Sequence, residues 1–176
     1  MMNLECYRLH DDVTIPEIAT LGSACFDVHA YIHPSNPITV YNMENKKIKR
    51  EPEWYDKEQS PKVRLVVEPG DRVLVPTGII FKIPHGVSLR LHTRSSVSLK
   101  KGLIMPNGEG IIDSDYYHET FVMLYNASAD TVYILDNERV AQGELVENNP
   151  IDISETFQQP EQTTERVGGF GSTGVK

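Results

Sequence analysis

VRLVVEPGDRVLVPTGIIFKIPHGVSLRLHTR, residues 63–94, decides the fold class. Apolar residues recur at alternate positions: Val63, Leu65 and Val67, then Val73 and Val75, then Ile79, Phe81 and Ile83, then Val87, Leu89 and Leu91. Successive side chains of a strand point to opposite faces, so this period buries one face and leaves the other polar. The runs have the length of strands and are broken by EPGD, PTG and IPHG, whose prolines and glycines suit turns. ETFVMLYNAS and DTVYILDNERVAQGELV continue in the same manner, and only SSVSLKKG suggests a short helical turn. Many short, regularly spaced strands predict an all-β sandwich or jelly-roll-like barrel with at most one short helix. No internal repeat is present.

Working outward, residues 33–62, HPSNPITVYNMENKKIKREPEWYDKEQSPK, break the pattern. Prolines, mixed charges and the lack of a period predict an inserted loop or arm, with Trp54 and Tyr55 as its bulky anchors. The KKIKR run reads as a solvated face, because neighbouring glutamates offset it. His29 and His33 are spaced as helical metal ligands, but a strand leading into Pro34 separates them, and a zinc site is discounted. The chain therefore reads as one β domain, 1–165, carrying the insertion, followed by a glycine-rich C-terminal segment, 166–176.

The 176 residues are enough to bury a substantial core. A formal net charge of −8 argues against general nucleic-acid binding, which needs a broad basic surface, but leaves room for a few arginines around one phosphorylated small molecule. No apolar run approaches the length of a membrane span, and the first residues do not resemble a secretory signal. Two cysteines, Cys6 and Cys25, form no disulfide framework, so a reducing cytoplasm is expected, the host's if the source is viral. Cys25 reads as a small packed side chain.

Four segments carry chemistry. Arg94, Ser95 and Ser96 supply a guanidinium fork and hydroxyls suited to phosphate, and a helix beginning there would add to the attraction. In PNGEGIIDSDYYHE, Asp113 follows two apolar residues, so a partly desolvated carboxylate is expected there, able to act as a general base on water. If the strand continued, Asp115 would share its face. NERVAQGEL, with Arg139 and Gln142, is uninformative in isolation. The terminal ERVGGFGSTGVK combines glycines with Phe170 and hydroxyls, a composition that suits a ring and phosphates.

In order along the chain, GSACFDVHA, TRSSVSLKKGL, NGEGIIDSDY, ERVAQ and GGFGSTG resemble the motifs of the trimeric deoxyuridine triphosphatase (dUTPase) family. The resemblance covers nearly all of the chain outside the insertion. It implies a dUTPase-like distorted jelly-roll barrel with a flexible C-terminal arm. It also implies a homotrimer whose sites are shared between subunits, and hydrolysis of dUTP to dUMP and pyrophosphate with Mg²⁺. Residue by residue, Asp27 matches the carboxylate that holds a water of the magnesium-bound triphosphate. Arg94, Ser95, Ser96 and Gln142 match phosphate contacts. Asn107 and the backbone from Gly110 to Ile112 match the reader of the uracil edge, and Asp113 matches the carboxylate that activates water. Tyr116 matches the aromatic that packs on the deoxyribose. Arg166, Phe170, Ser172 and Thr173 match the tail that closes over the nucleotide.

Cys25 replaces the family's usual glycine, and Ser96–Val97 a common Gly–Leu. The nearest alternative is a dCTP deaminase of the same fold. That family places a glutamate where alignment on Asn126 puts Met123, and a thioether cannot shuttle protons. A second alternative is a regulatory protein that senses nucleotide and presents the arm to a partner.

Overall fold

A computed structural model describes residues 2–55, 62–165 and 168. Among these, fourteen strands and one short helix follow in order. The strands that position the site are β2 (Phe26–His29), β9 (Val87–Thr93), β11 (Gly110–Ile112) and β14 (Arg139–Glu147), which form one antiparallel sheet in the order β11-β9-β14-β2. A second sheet runs β10-β12-β7-β3-β4, where β10 is Leu103–Ile104, β12 Phe121–Asn126, β7 Arg72–Pro76, β3 Ile38–Tyr41 and β4 Lys47–Arg50. A three-stranded sheet joins β13 (Val132–Leu135), β6 (Lys62–Val67) and β5 (Glu53–Tyr55), and β1 (Glu5–Arg8) pairs with β8 (Ile79–Lys82).

The period-two residues form the core. Leu65, Val67, Val73, Val75, Ile79, Leu89 and Leu124 are fully buried, while their strand neighbours, apart from the buried Ser88, face outward or are half-buried. Side chains from several sheets meet here, so the chain buries its apolar stripes against one another. Asn126 is one of five polar residues buried among those described, and it is satisfied. Its Nδ2 donates to the carbonyls of Val67 at 2.9 Å and Asp130 at 2.8 Å, and its Oδ1 accepts from the Ser128 hydroxyl at 2.7 Å. Gly78, in the PTG turn, has φ +67, which an L side chain rarely adopts. Gly143 is constrained by space alone. A Cβ there would lie 2.8 Å from the Phe26 ring and 3.1 Å from Leu89 Cδ1. Gly143→Ala is expected to lower stability by about 1–3 kcal/mol and Tm by several degrees, checked by thermal unfolding.

The insertion departs from the aperiodic arm expected from its sequence. Ile38 and Val40 are buried on β3, which pairs with β7 and, through a tight turn, with β4. Arg50 at the end of β4 forms an ion pair with Asp71 and donates to the Val66 carbonyl at 3.0 Å. β5 adds to β6 on the other sheet. Ile38 and Val40 are the anchors, while Trp54 stays 47% exposed. The pattern was illegible because the strands are three or four residues long and β4 is a lysine-bearing edge strand, the composition that keeps an edge from pairing with other chains.

The helix α1 (Ser95–Lys101) ends where Gly102 takes φ 66 and its N–H reaches the Ser98 carbonyl at 3.1 Å. After Glu147 the described chain forms no further strand, and Ile151, Ile153 and Phe157 are 78%, 86% and 92% exposed.

Candidate active site

Asp27 lies on the outer face of β2, opposite Gln142 of β14, which in turn faces His92 of β9. The start of β14 carries Arg139 level with His29, and Arg94 directly follows β9. Three residues distant in sequence thus meet. Arg94 Nε lies 2.8 Å from Asp27 Oδ1 and Arg139 Nη1 3.1 Å from Oδ2. Arg94 also donates to the Arg139 carbonyl at 3.3 Å. Two guanidiniums around one carboxylate leave a net positive charge. The Arg139 side chain is 54% exposed, so its pair with Asp27 is worth under about 1 kcal/mol and yields readily to a stronger anion. Arg94, at 22%, is held more firmly.

Beside this cluster lies a cavity of about 380 Å³ lined by His29, Arg94, Ser96, Lys100 and Arg139 among others. Its rim is basic except for Glu138, which Lys101 neutralises at 2.5 Å. Ser95 and Ser96 are exposed at the start of α1, free to face a ligand. Burial pushes the His29 imidazole below its ordinary pKa, Asp27 opposes that, and Arg139 and Arg94 add to the lowering. A neutral His29 therefore sits beside the two arginines. Burial and the Glu144 charge push the Cys25 thiol upward, which makes it no nucleophile.

The second group of expected residues lies at the other edge of the sheet. A turn at residues 105–109 leads into β11, where Gly108 takes φ +75 and Asn107 Nδ2 donates to the Glu109 carbonyl at 2.8 Å. Gly110 and Ile112 pair with Leu91 and Leu89 on β9. The strand stops at Ile112. Asp113 opens a turn closed by the Tyr116 N–H on its carbonyl at 3.1 Å, so Asp113 and Asp115 do not share a strand face as expected. Asp113 is exposed in the single chain, and the desolvation expected around it is not provided by these residues. Tyr116 is 39% exposed, with its hydroxyl fixed on the Glu119 carbonyl at 3.0 Å and its ring edge-on to His118.

Asp27, Arg94 and Gln142 are brought together, as are Asn107, Gly110, Ile112, Asp113 and Tyr116, but the two groups are apart. Ile112 pairs with Leu89, and Arg94 lies five residues further along that strand, roughly 16 Å at about 3.3 Å per residue. Arg166, Phe170, Ser172 and Thr173 lie outside the described residues. Arg139 was uninformative in the sequence and joins the cluster only through the register of β14 against β2. His29 was read only as a discarded metal ligand.

Residues 60–174 match the dUTPase family model. A deoxyuridine 5'-triphosphate nucleotidohydrolase of Caulobacter vibrioides is 30% identical over 164 residues, covering 93% of this chain and 88% of the relative. The crystal structure of a dUTPase from Streptococcus mutans superposes with a TM-score of 0.61 at 28% identity, covering 85% of this chain and 98% of that one. A Staphylococcus bacteriophage 80alpha dUTPase solved with dUpNHpp shares the fold, with a TM-score of 0.71 over 98% of this chain and 99% of its own, at 19% identity.

Proposed function

The chain belongs to the dUTPase family, and on that premise we propose that it hydrolyses dUTP to dUMP and pyrophosphate, in a site completed by neighbouring copies of the chain. The observation that carries the reading is the grip of Arg94 and Arg139 on Asp27. An anionic triphosphate competes with Asp27 for these guanidiniums, and Arg94 in particular offers a fork that matches phosphate oxygens. Ser95, Ser96 and Gln142 line the same side and serve as further phosphate contacts.

Base selection falls to the backbone of Gly110–Ile112 and to Asn107, and the Tyr116 ring packs on the deoxyribose. Asp113 orients a water and takes its proton as the water oxygen bonds to the α-phosphorus. The bond from that phosphorus to the bridging oxygen breaks, and pyrophosphate leaves. Arg94 and Arg139 stabilise the charge that develops on the leaving group. Arg166, Phe170, Ser172 and Thr173 complete the site as the family's last motif.

The donor set suits magnesium. Asp27 offers only oxygen, as a hard cation prefers, and no group of three His, Cys, Asp or Glu side chains among the described residues forms a cage of its own. Asp27 would hold the ion through a water while the triphosphate supplies most ligands, and the bound ion supplies charge neutralisation.

The offset along β9 supports a shared site: Ile112, next to Asp113, pairs with Leu89, and Arg94 lies about 16 Å further along the chain. With the two toward opposite ends of β9, one chain's Asp113 and Arg94 are poorly placed to act on the same triphosphate. A homotrimer in which one chain's Asp113 faces another's Arg94 resolves this. The exposed Ile151, Ile153 and Phe157, which find no cover among the described residues, also favour subunits that exchange C-terminal segments. Among the described residues no helix is long and apolar enough to cross a membrane.

The test is chromatographic product analysis with Mg²⁺. dUTP is expected to yield dUMP and pyrophosphate while dCTP is recovered intact. Inertness towards dUTP, or conversion of dCTP to a uridine nucleotide, would overturn the reading.

A further inference from the structure

We propose that Arg90 and Glu109 are positioning residues for base recognition: their ion pair tethers the turn that carries Asn107 to the outer face of β9. This rests on the reading of Asn107 and Gly110–Ile112 as the base-reading segment.

The turn at residues 105–109 has few other supports on its outer side. Its internal bonds are the Gly108 N–H to the Met105 carbonyl at 3.0 Å, the Glu109 N–H to the Asn107 carbonyl at 2.9 Å and Asn107 Nδ2 to the Glu109 carbonyl at 2.8 Å. All three lie within the turn and fix its shape. Its two ends are fixed to β9, by the Met105 N–H on Thr93 Oγ1 at 3.1 Å and by Gly110 opposite Leu91. The Glu109 carboxylate adds a side-chain hold between those ends. Arg90 Nη1 donates to its Oε2 at 3.0 Å, and His92 Nδ1 stands 3.7 Å from its Oε1. Each carboxylate oxygen therefore faces a basic group two positions apart on one strand.

Arg90 is itself held. Its Nε donates to Ser88 Oγ at 3.0 Å, and the buried Ser88 hydroxyl donates to Asn148 Oδ1 at 2.9 Å. His92 is held from the other side by Glu144 of β14, 3.1 Å from its Nε2. A line of contacts thus runs from the turn across β9 to β14. Arg90 is 24% exposed and Glu109 38%, so water weakens the pair without dissolving it. Loss of such a tether leaves the sheet intact, since Leu89 and Leu91 still pack in the core. It lets the turn sample positions from which Asn107 misses the base edge, and substrate binding bears the cost.

The experiment measures KM and kcat for dUTP with full-length wild type, Glu109→Gln, Arg90→Met and the double variant, and with Asn107→Ala as reference. Glu109→Gln is nearly isosteric and keeps the fold, which thermal unfolding checks. A KM raised about five- to twentyfold with kcat within about twofold is expected for either single variant, a loss typical of one charge-assisted hydrogen bond. The double variant is expected to be no worse than the poorer single one, because both remove the same contact. If Asn107→Ala raises KM while Glu109→Gln and Arg90→Met leave it within twofold, the tether is overturned and the base reading stands. If Asn107→Ala leaves KM unchanged, the base reading fails and the inference falls with it. Full additivity of the two single variants would also overturn it.

Discussion

Asp113→Asn is expected to bind dUTP with near wild-type affinity and to hydrolyse it about a thousandfold more slowly. An asparagine has almost the same shape and can still accept a hydrogen bond from water, but it cannot take the proton that water must shed on attacking phosphorus. General-base contributions are of the order of 10²–10⁴-fold. The high end does not apply here, because Arg94, Arg139 and the metal would still align the triphosphate and stabilise developing charge. Binding should change little, since Asp113 is exposed and, among the described residues, makes no side-chain hydrogen bond or ion pair with Arg94, Arg139 or the turn at residues 105–109. Pyrophosphate release gives the rate, and calorimetry with a non-hydrolysable dUTP analogue gives the affinity. Turnover within tenfold of wild type would mean that another group activates the water.

Asp71→Ala is expected to cost about 2–4 kcal/mol, a drop of roughly 6–12 °C in Tm for a chain of this size. Asp71 is 2% exposed at the β6–β7 turn. Its Oδ2 accepts from the Glu68 N–H at 2.9 Å and is paired with Arg50 of the inserted hairpin. Truncation strands a guanidinium and a backbone N–H together. The Arg50 side chain is 20% exposed and keeps its bond to the Val66 carbonyl, so water and that bond recover part of the loss. Arg50→Met would leave the more deeply buried carboxylate alone and should cost at least as much. The double variant should cost less than the sum, because neither charge is then left unpaired. A Tm within 2 °C of wild type for Asp71→Ala would show that the hairpin is not anchored through this pair.

Legibility followed the length of the signal. From Val63 onward, strands of up to seven residues with alternating apolar positions could be read directly, and the structure places those residues in the core. The insertion could not be read. Ile38 and Val40 make only two core positions, and the charged residues of β4 serve an edge that no short-range pattern announces. The candidate site residues were named through motifs, most of them as the resemblance implied. Arg139 was not, because its role depends on a bulged register between β14 and β2. Glu109, Arg90 and His92 were passed over for a similar reason. They are ordinary charges in sequence and neighbours only across strands.

By itself the amino-acid order determined the all-β class, the core stripe and the identities of the groups proposed to bind phosphate, read a base and activate water. These are local properties: periodicity sets which face is buried, and side-chain chemistry sets what each group can do. Tertiary structure alone decided which of these groups meet. Strand order and register bring Arg139 to Asp27 and Arg94, tether Glu109 to Arg90, and set Asp113 and Arg94 toward opposite ends of β9. Pairings between strands distant in sequence are set by the competition of whole faces for burial, which no local stretch encodes.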